Sequence, residues 1–167
     1  MEMNFAFLEK KQEYELFSGA CIDAERILES SPVMSAVASR KALELCVKWI
    51  YSIDSALEPI GNREGLQSLL HNKWLSFFDG YYICGEGFST LFGMEMSLYI
   101  LQKRLTRDNA VLSLNILFDF VEWVDYCYGR DYVERVFDEK KIPDATTDMN
   151  VVQEEYRQVI KERSKKR

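Results

Sequence analysis

The chain has 167 residues, 47% of them hydrophobic and 13% aromatic, which is enough apolar surface for one buried core and too much for a disordered polymer. A net charge of −6 excludes a general nucleic-acid coat, because phosphate binding is driven by Lys and Arg displacing counterions. The charge is uneven: six basic and two acidic residues between Glu155 and Arg167 give that end +4 and leave −10 on the remainder.

In chain order, Asn4 to Leu8 reads as a short helix or turn. A helix follows over Gln12 to Glu29, with Leu16, Ala20, Ala24, Ile27 and Leu28 as its apolar positions. Ser30, Ser31 and Pro32 end it and start the next, with Ser31 as the cap and Pro32 at the first helical position, where a missing N–H costs nothing. That second helix runs to Ile53. Val33, Ala36, Val37, Leu43, Val47 and Ile50 form its core face, widened by Ala38, Ala42, Leu45, Cys46 and Trp49. Pro59, Gly61, Asn62 and Gly65 make Asp54 to Gly65 a loop, and a shorter helix follows through Leu66, Leu69 and Leu70. Asp79 to Leu101 holds Gly80, Gly85, Gly87 and Gly93 among aromatics and has neither a helical period nor a strand alternation.

Thr106 to Gly129 reads as the long, almost wholly buried helix around which the rest packs. Ala110, Leu114, Leu117, Val121, Val124 and Tyr128 make one stripe, and Leu112, Ile116, Phe120, Trp123 and Cys127 a second on nearly the opposite side. Thr106 caps its first turn, Asp108 suits the positive end of the dipole, and Gly129 stands where a helix commonly leaves through a left-handed residue. Arg130 to Asp144 is charged and aromatic and ends at Pro143. A last amphipathic helix, Asp148 to Arg163, aligns Val152, Tyr156 and Ile160, with Val151 and Val159 beside them. The class is therefore all-α, a single helical bundle, with no repeat and no second domain.

Of the four cysteines, Cys21, Cys46, Cys84 and Cys127, none has Cys-x-x-Cys spacing, and three fall inside apolar helical patterns as buried free thiols do. That usage suits a reducing compartment. No apolar run approaches the roughly 18 residues of a membrane span, and the acidic, aromatic start is unlike a secretion signal, so cytoplasm follows by elimination.

Few residues invite chemistry. His71 is the sole histidine, which excludes a two-histidine metal site within one chain and leaves a structural or surface role near a helix end. Gly85, Gly87 and Thr90 in GEGFST lack the Gly-Lys-Ser/Thr and the preceding strand of a phosphate loop. Arg40 and Glu44, one helical turn apart, form either a surface ion pair or a structural polar pair bonded to loop backbone inside the bundle. Asn115, Asp119, Glu122 and Asp125 line a polar seam that a solvated face explains as well as paired carboxylates do. Lys161, Arg163, Lys165, Lys166 and Arg167 offer at most a weak nucleic-acid contact, against the simpler reading of a charged, frayed helix end. No catalytic constellation, cofactor site or metal site is visible.

Three segments together resemble a known family. FLEKKQEYELFSGACIDAERILESSPVMSAVASRKALELCVKWIYSID near the start, LQSLLH in the middle and AVLSLNILFDFVEWVDYCYGRDYVERVFDEKKIP near the end are similar to the N-terminal domain of type I restriction enzyme R subunits. The match covers about residues 4 to 78 and 104 to 143, in the family's order and at roughly its spacing. The resemblance implies a helical module of unassigned function related to the HEPN helical bundles, over residues 1–143. Residues 144–167 would resemble the start of the coiled-coil linker that, in R subunits, leads to a helicase motor. It implies a non-catalytic docking or regulatory role in restriction of foreign DNA, with other domains or subunits of a restriction-modification assembly as partners. DNA would be touched only weakly or indirectly, without a membrane and without a cofactor. The alternatives are a ribonuclease-type HEPN module, inactive here, and a free-standing interaction protein.

One departure bears on those alternatives. Where the family carries Arg-x-Gly-Asn-x-x-x-His before the long helix, this chain has FGMEMSLYI, Phe92 to Ile100, without a histidine, so a ribonuclease would lack its general acid or base. Read two bases later, codons for Phe92 to Ile100 can encode Arg-x-Gly-Asn-Val-x-Val-His. We take it as a hypothesis that about Tyr82 to Gln102 is translated out of frame relative to the family.

Overall fold

A computed structural model of the chain describes residues 2–57, 69 and 105–145. Two 3-10 turns, Ala6–Lys10 and Gln12–Tyr14, lead into α1, Glu15–Arg26. A short turn joins α1 to α2, Pro32–Ile53; α3 spans Arg107–Tyr128, and a last 3-10 turn, Glu139–Lys141, follows an extended strap. The described residues contain no strand, and none of their helices is long and apolar enough to cross a membrane. The all-α expectation holds at that level.

Local chemistry accounts for where the helices stop. Past Arg26 the chain tightens, with Leu28 N–H donating to the Glu25 carbonyl and Ser31 N–H to that of Ile27, so α1 is shorter than its apolar pattern suggests. Pro32 opens α2 as expected, but the Ser31 hydroxyl makes no capping bond. Thr106 does cap α3: its Oγ1 accepts from Asn109 N–H at 3.3 Å while Asn109 Oδ1 accepts from Thr106 N–H at 3.1 Å. That is a capping box with Asn in the place usually held by Glu.

The α1–turn–α2 hairpin is the most extensive helix pairing, and α2 also packs along α3, whereas α1 barely meets α3. Among the described residues the helix in the middle is therefore α2, not α3. It can serve both neighbours because its buried positions, including Ser35, Ala36, Ser39, Ala42, Leu43, Cys46, Val47 and Ile50, fall in two adjacent stripes. α3 is nevertheless the most buried, with ten of its 22 residues enclosed against eight of 22 in α2.

Two faces differ from the sequence reading. On α1 the buried line is Tyr14, Phe17, Cys21, Ala24 and Leu28, while Leu16 is 54% exposed, so the stripe is rotated by one residue. The reason is aromatic packing: Tyr14, Phe17 and Trp49 meet with ring centroids 5.2–5.7 Å apart, and the largest rings take the inner positions. On the outer sides, Val37 is 41% and Leu112 44% exposed, and Cys127 is an exposed thiol, whereas Cys21 and Cys46 are buried and free. At the other end of the core Phe118 gathers Phe5, Phe7 and Phe137 around it, pinning the N-terminal turn and the strap to the same side of α3.

Candidate functional site

The polar centre of the described structure is Asp125, in the last turn of α3. Its side chain is fully buried, a position no carboxylate holds without partners. Tyr14 OH donates to Oδ1 at 2.8 Å, Lys11 Nζ donates to the same oxygen, and Arg135 Nη1 donates to Oδ2 at 3.0 Å. Glu122, one turn earlier, accepts from the Arg135 backbone N–H at 2.8 Å. The cluster holds two carboxylates and two cations, so burial leaves no net charge to solvate.

Each member is placed by its element. Lys11 sits between the two 3-10 turns and Tyr14 at the entrance of α1. Glu122 and Asp125 are one turn apart on α3, and Arg135 comes from the strap, its guanidinium 4.0 Å from the centre of the Phe7 ring. Burial, and then the bond to Asp125, push the Tyr14 hydroxyl well above its ordinary pKa, so it stays a donor. Gly129 completes the site by lacking a side chain. Its backbone is extended, φ −74 and ψ 149, not left-handed as expected. A Cβ there would overlap the Asp125 carboxylate and carbonyl and come within 2.9 Å of Tyr14 OH.

Two further clusters tie the same pieces together. Glu25 is wholly buried in α1 and accepts from Asn4 N–H at 2.8 Å, Asn4 Nδ2 at 2.7 Å and Phe5 N–H at 3.0 Å. Burial raises its pKa although those bonds oppose the shift. Asn4 also clasps the strap, donating to the Asp138 carbonyl and accepting from its N–H. Arg107 bridges Glu29 and Glu139, joining the end of α1 to the start of α3 and the last 3-10 turn.

The seam read as a solvated face is internal only at its last position, with Asn115, Asp119 and Glu122 half-buried. Asp125 is buried, Glu122 is 13% exposed, and burial with Glu122 nearby raises the pKa of Asp119. The Arg40–Glu44 pair does not form: Glu44 bonds Lys48 at 2.5 Å, the next turn on, and the buried Arg40 Nε has no hydrogen-bond partner. Lys161, Arg163, Lys165, Lys166 and Arg167 lie outside the described residues, as do His71, Cys84, the GEGFST stretch and Tyr82 to Gln102. No group of His, Cys, Asp and Glu able to hold a metal occurs among the described residues.

Sequence reasoning missed Asn4, Lys11, Tyr14, Glu25 and Arg135. Glu25 and Asp125 had a signal: each stands at a helical step from apolar neighbours, Glu25 between Cys21 and Leu28 and Asp125 one turn after Val121, so each is a charge on an apolar stripe. Chemically the centre is a lock, since the three donors on Asp125 all come from its own chain. Comparison with family models, with curated proteins and with solved structures finds no match for the chain.

Proposed function

We propose that the chain is a non-catalytic docking or regulatory domain similar to the N-terminal module of a type I restriction R subunit, working within a DNA-restricting assembly. The observation that carries this reading is how the two long stretches bearing the resemblance meet. Lys11 and Tyr14 of the first close on Asp125 of the second, with Asn4 clasping Asp138 beside them. A likeness split between distant stretches gains weight when both belong to one packed unit, and that supports a module of about residues 1–143; the resemblance alone assigns 144–167 to a linker. A self-satisfied polar centre supports a scaffold more than a reactive site. Buried free thiols at Cys21 and Cys46 suit a reducing cytoplasm. Partners are other domains or subunits of the assembly, and DNA is met only weakly, through Lys161 to Arg167.

The test mixes purified chain with the motor portion of a type I R subunit lacking its own N-terminal domain, and separately with labelled RNA, duplex DNA, ATP and Mg²⁺. Co-elution with the motor, and neither strand cleavage nor ATP hydrolysis, is the expected result. Cleavage, or no association with the motor, overturns the proposal.

A further inference from the structure

Side chains, not a backbone ladder, hold the N-terminal turns and the strap after α3. Among the described residues no backbone–backbone hydrogen bond reaches 130–137, and those of the turns are local, such as Leu8 N–H to the Phe5 carbonyl and Lys11 N–H to that of Leu8. Four further amides donate to side chains: Asn4 and Phe5 to Glu25, Arg135 to Glu122, and Asp138 to Asn4 Oδ1. Segments held in this way open at a lower free energy than packed helices do.

The two pieces are also fastened to each other. Asn4 Nδ2 donates to the Asp138 carbonyl at 3.0 Å, Lys11 Nζ to the Asp131 carbonyl at 3.3 Å, and the Arg135 guanidinium lies 4.0 Å from the centre of the Phe7 ring. On α3 they share two anchors. Asp125 accepts from Lys11 of one piece and Arg135 of the other, while Phe118 meets Phe5 and Phe7 of one and Phe137 of the other. Departure of either piece admits water to both anchors, which weakens the charge pair and the ring contact that hold the other. Two more anchors are private: Glu25 of α1 bonds only the N-terminal piece, and Glu122 of α3 only Arg135 of the strap.

We propose that the N-terminal turns and the strap form a two-piece latch that opens as one unit. Opening bares Phe118 and the Asp125 carboxylate on α3 while the three helices stay packed. The latch does not depend on the docking role proposed above.

Amide hydrogen exchange of the full chain, followed by NMR at rising but sub-denaturing urea, tests it. The Asn4, Phe5, Arg135 and Asp138 amides converge on one opening free energy and one urea slope, both below those of core amides such as Leu43 and Leu117. The private anchors then separate one latch from two independent flaps. Glu122→Ala, which touches only the strap, lowers protection at Asn4 and Phe5 by about tenfold, and Glu25→Gln, which touches only the N-terminal piece, lowers it at Arg135 and Asp138 by a similar factor. Separate opening energies for the two pieces, an effect of either variant confined to its own piece, or latch amides that exchange only with the energy and slope of the core would each overturn the proposal. The wild-type chain alone decides the first and last of these, so a variant that fails to fold does not remove the test.

Discussion

Asp125 shows how one buried charge can organise a small domain. Taking a carboxylate from water costs several kcal/mol, and its three donors recover that only while all are present. Replacing Asp125 by Ala strands Lys11 and Arg135, 13% and 22% exposed, and is expected to destabilise the chain by about 3 kcal/mol in urea unfolding. A double-mutant cycle with Arg135→Ala should recover about 1 kcal/mol or more as coupling, and a value near zero would mean the geometry is incidental. Gly129→Ala forces a methyl against the same carboxylate and against the Asp125 carbonyl in the last turn of α3, and should cost about 1–3 kcal/mol. Glu25 supplies a pH dependence of opposite sense to ordinary acid unfolding. Its folded pKa is raised by burial from 4.5, so the folded state binds the proton more tightly than the unfolded one. Its stabilising contribution is then complete below about pH 4.5 and lost as pH rises through the folded value. Wild-type stability measured relative to Glu25→Gln should therefore be greatest at the acid end and decline toward neutrality, and a flat difference would remove Glu25 from the account.

Among the helices, end signals and faces behave differently. The Thr106 capping box makes its bonds while Ser31 makes none, so Thr106→Ala should cost about 1 kcal/mol and Ser31→Ala almost nothing, compared by urea midpoint. Equal losses would show that Ser31 caps α2 in solution. The rotation of the α1 stripe is tested by a pair of truncations. Phe17→Ala removes a fully buried ring and should cost about 3–5 kcal/mol, whereas Leu16→Ala, at a residue 54% exposed, should cost a small fraction of that. Gly19→Ala should stabilise the chain by about 0.5–1 kcal/mol, since the added methyl meets nothing.

The described residues close on themselves from both sides of the helices. The N-terminal turns and the strap after α3 approach each other through Asn4 and Asp138, 134 positions apart, and the lock draws Lys11 to Asp125 across 114. These long closures make the domain cooperative, so removing one should lower the stability of all three helices together. Restoring the other frame over Tyr82 to Gln102 introduces Arg and His there and should raise stability by about a few kcal/mol if it replaces a poorly packed element. Equal urea midpoints and slopes for the two versions, with one intact reading frame in the gene, would make the codon pattern a coincidence. Deleting Lys161 to Arg167 should abolish whatever weak, salt-sensitive nucleic-acid binding the chain has, because the rest carries a net −10.

What the residues determined by themselves was local. Helical period, Pro32 at a first turn and Thr106 before Arg107 locate α2 and α3 to within a residue or two, because those signals act over one or two turns of the same backbone. The same reasoning marked Ala110, Leu114, Leu117, Val121 and Val124 as core. Tertiary structure decided the rest. Which of two adjacent stripes on α1 faces inward depended on Trp49, a residue of another helix. Whether Asp125 was solvated or locked depended on Lys11 and Arg135, and no spacing within α3 encodes partners that arrive from either side of it. Gly129 illustrates the division most sharply: local rules assign it a left-handed exit, yet the fold needs it for want of a side chain beside Asp125 and Tyr14. Backbone preference is written in neighbouring residues, whereas the room a side chain has is set by whatever the rest of the chain brings against it.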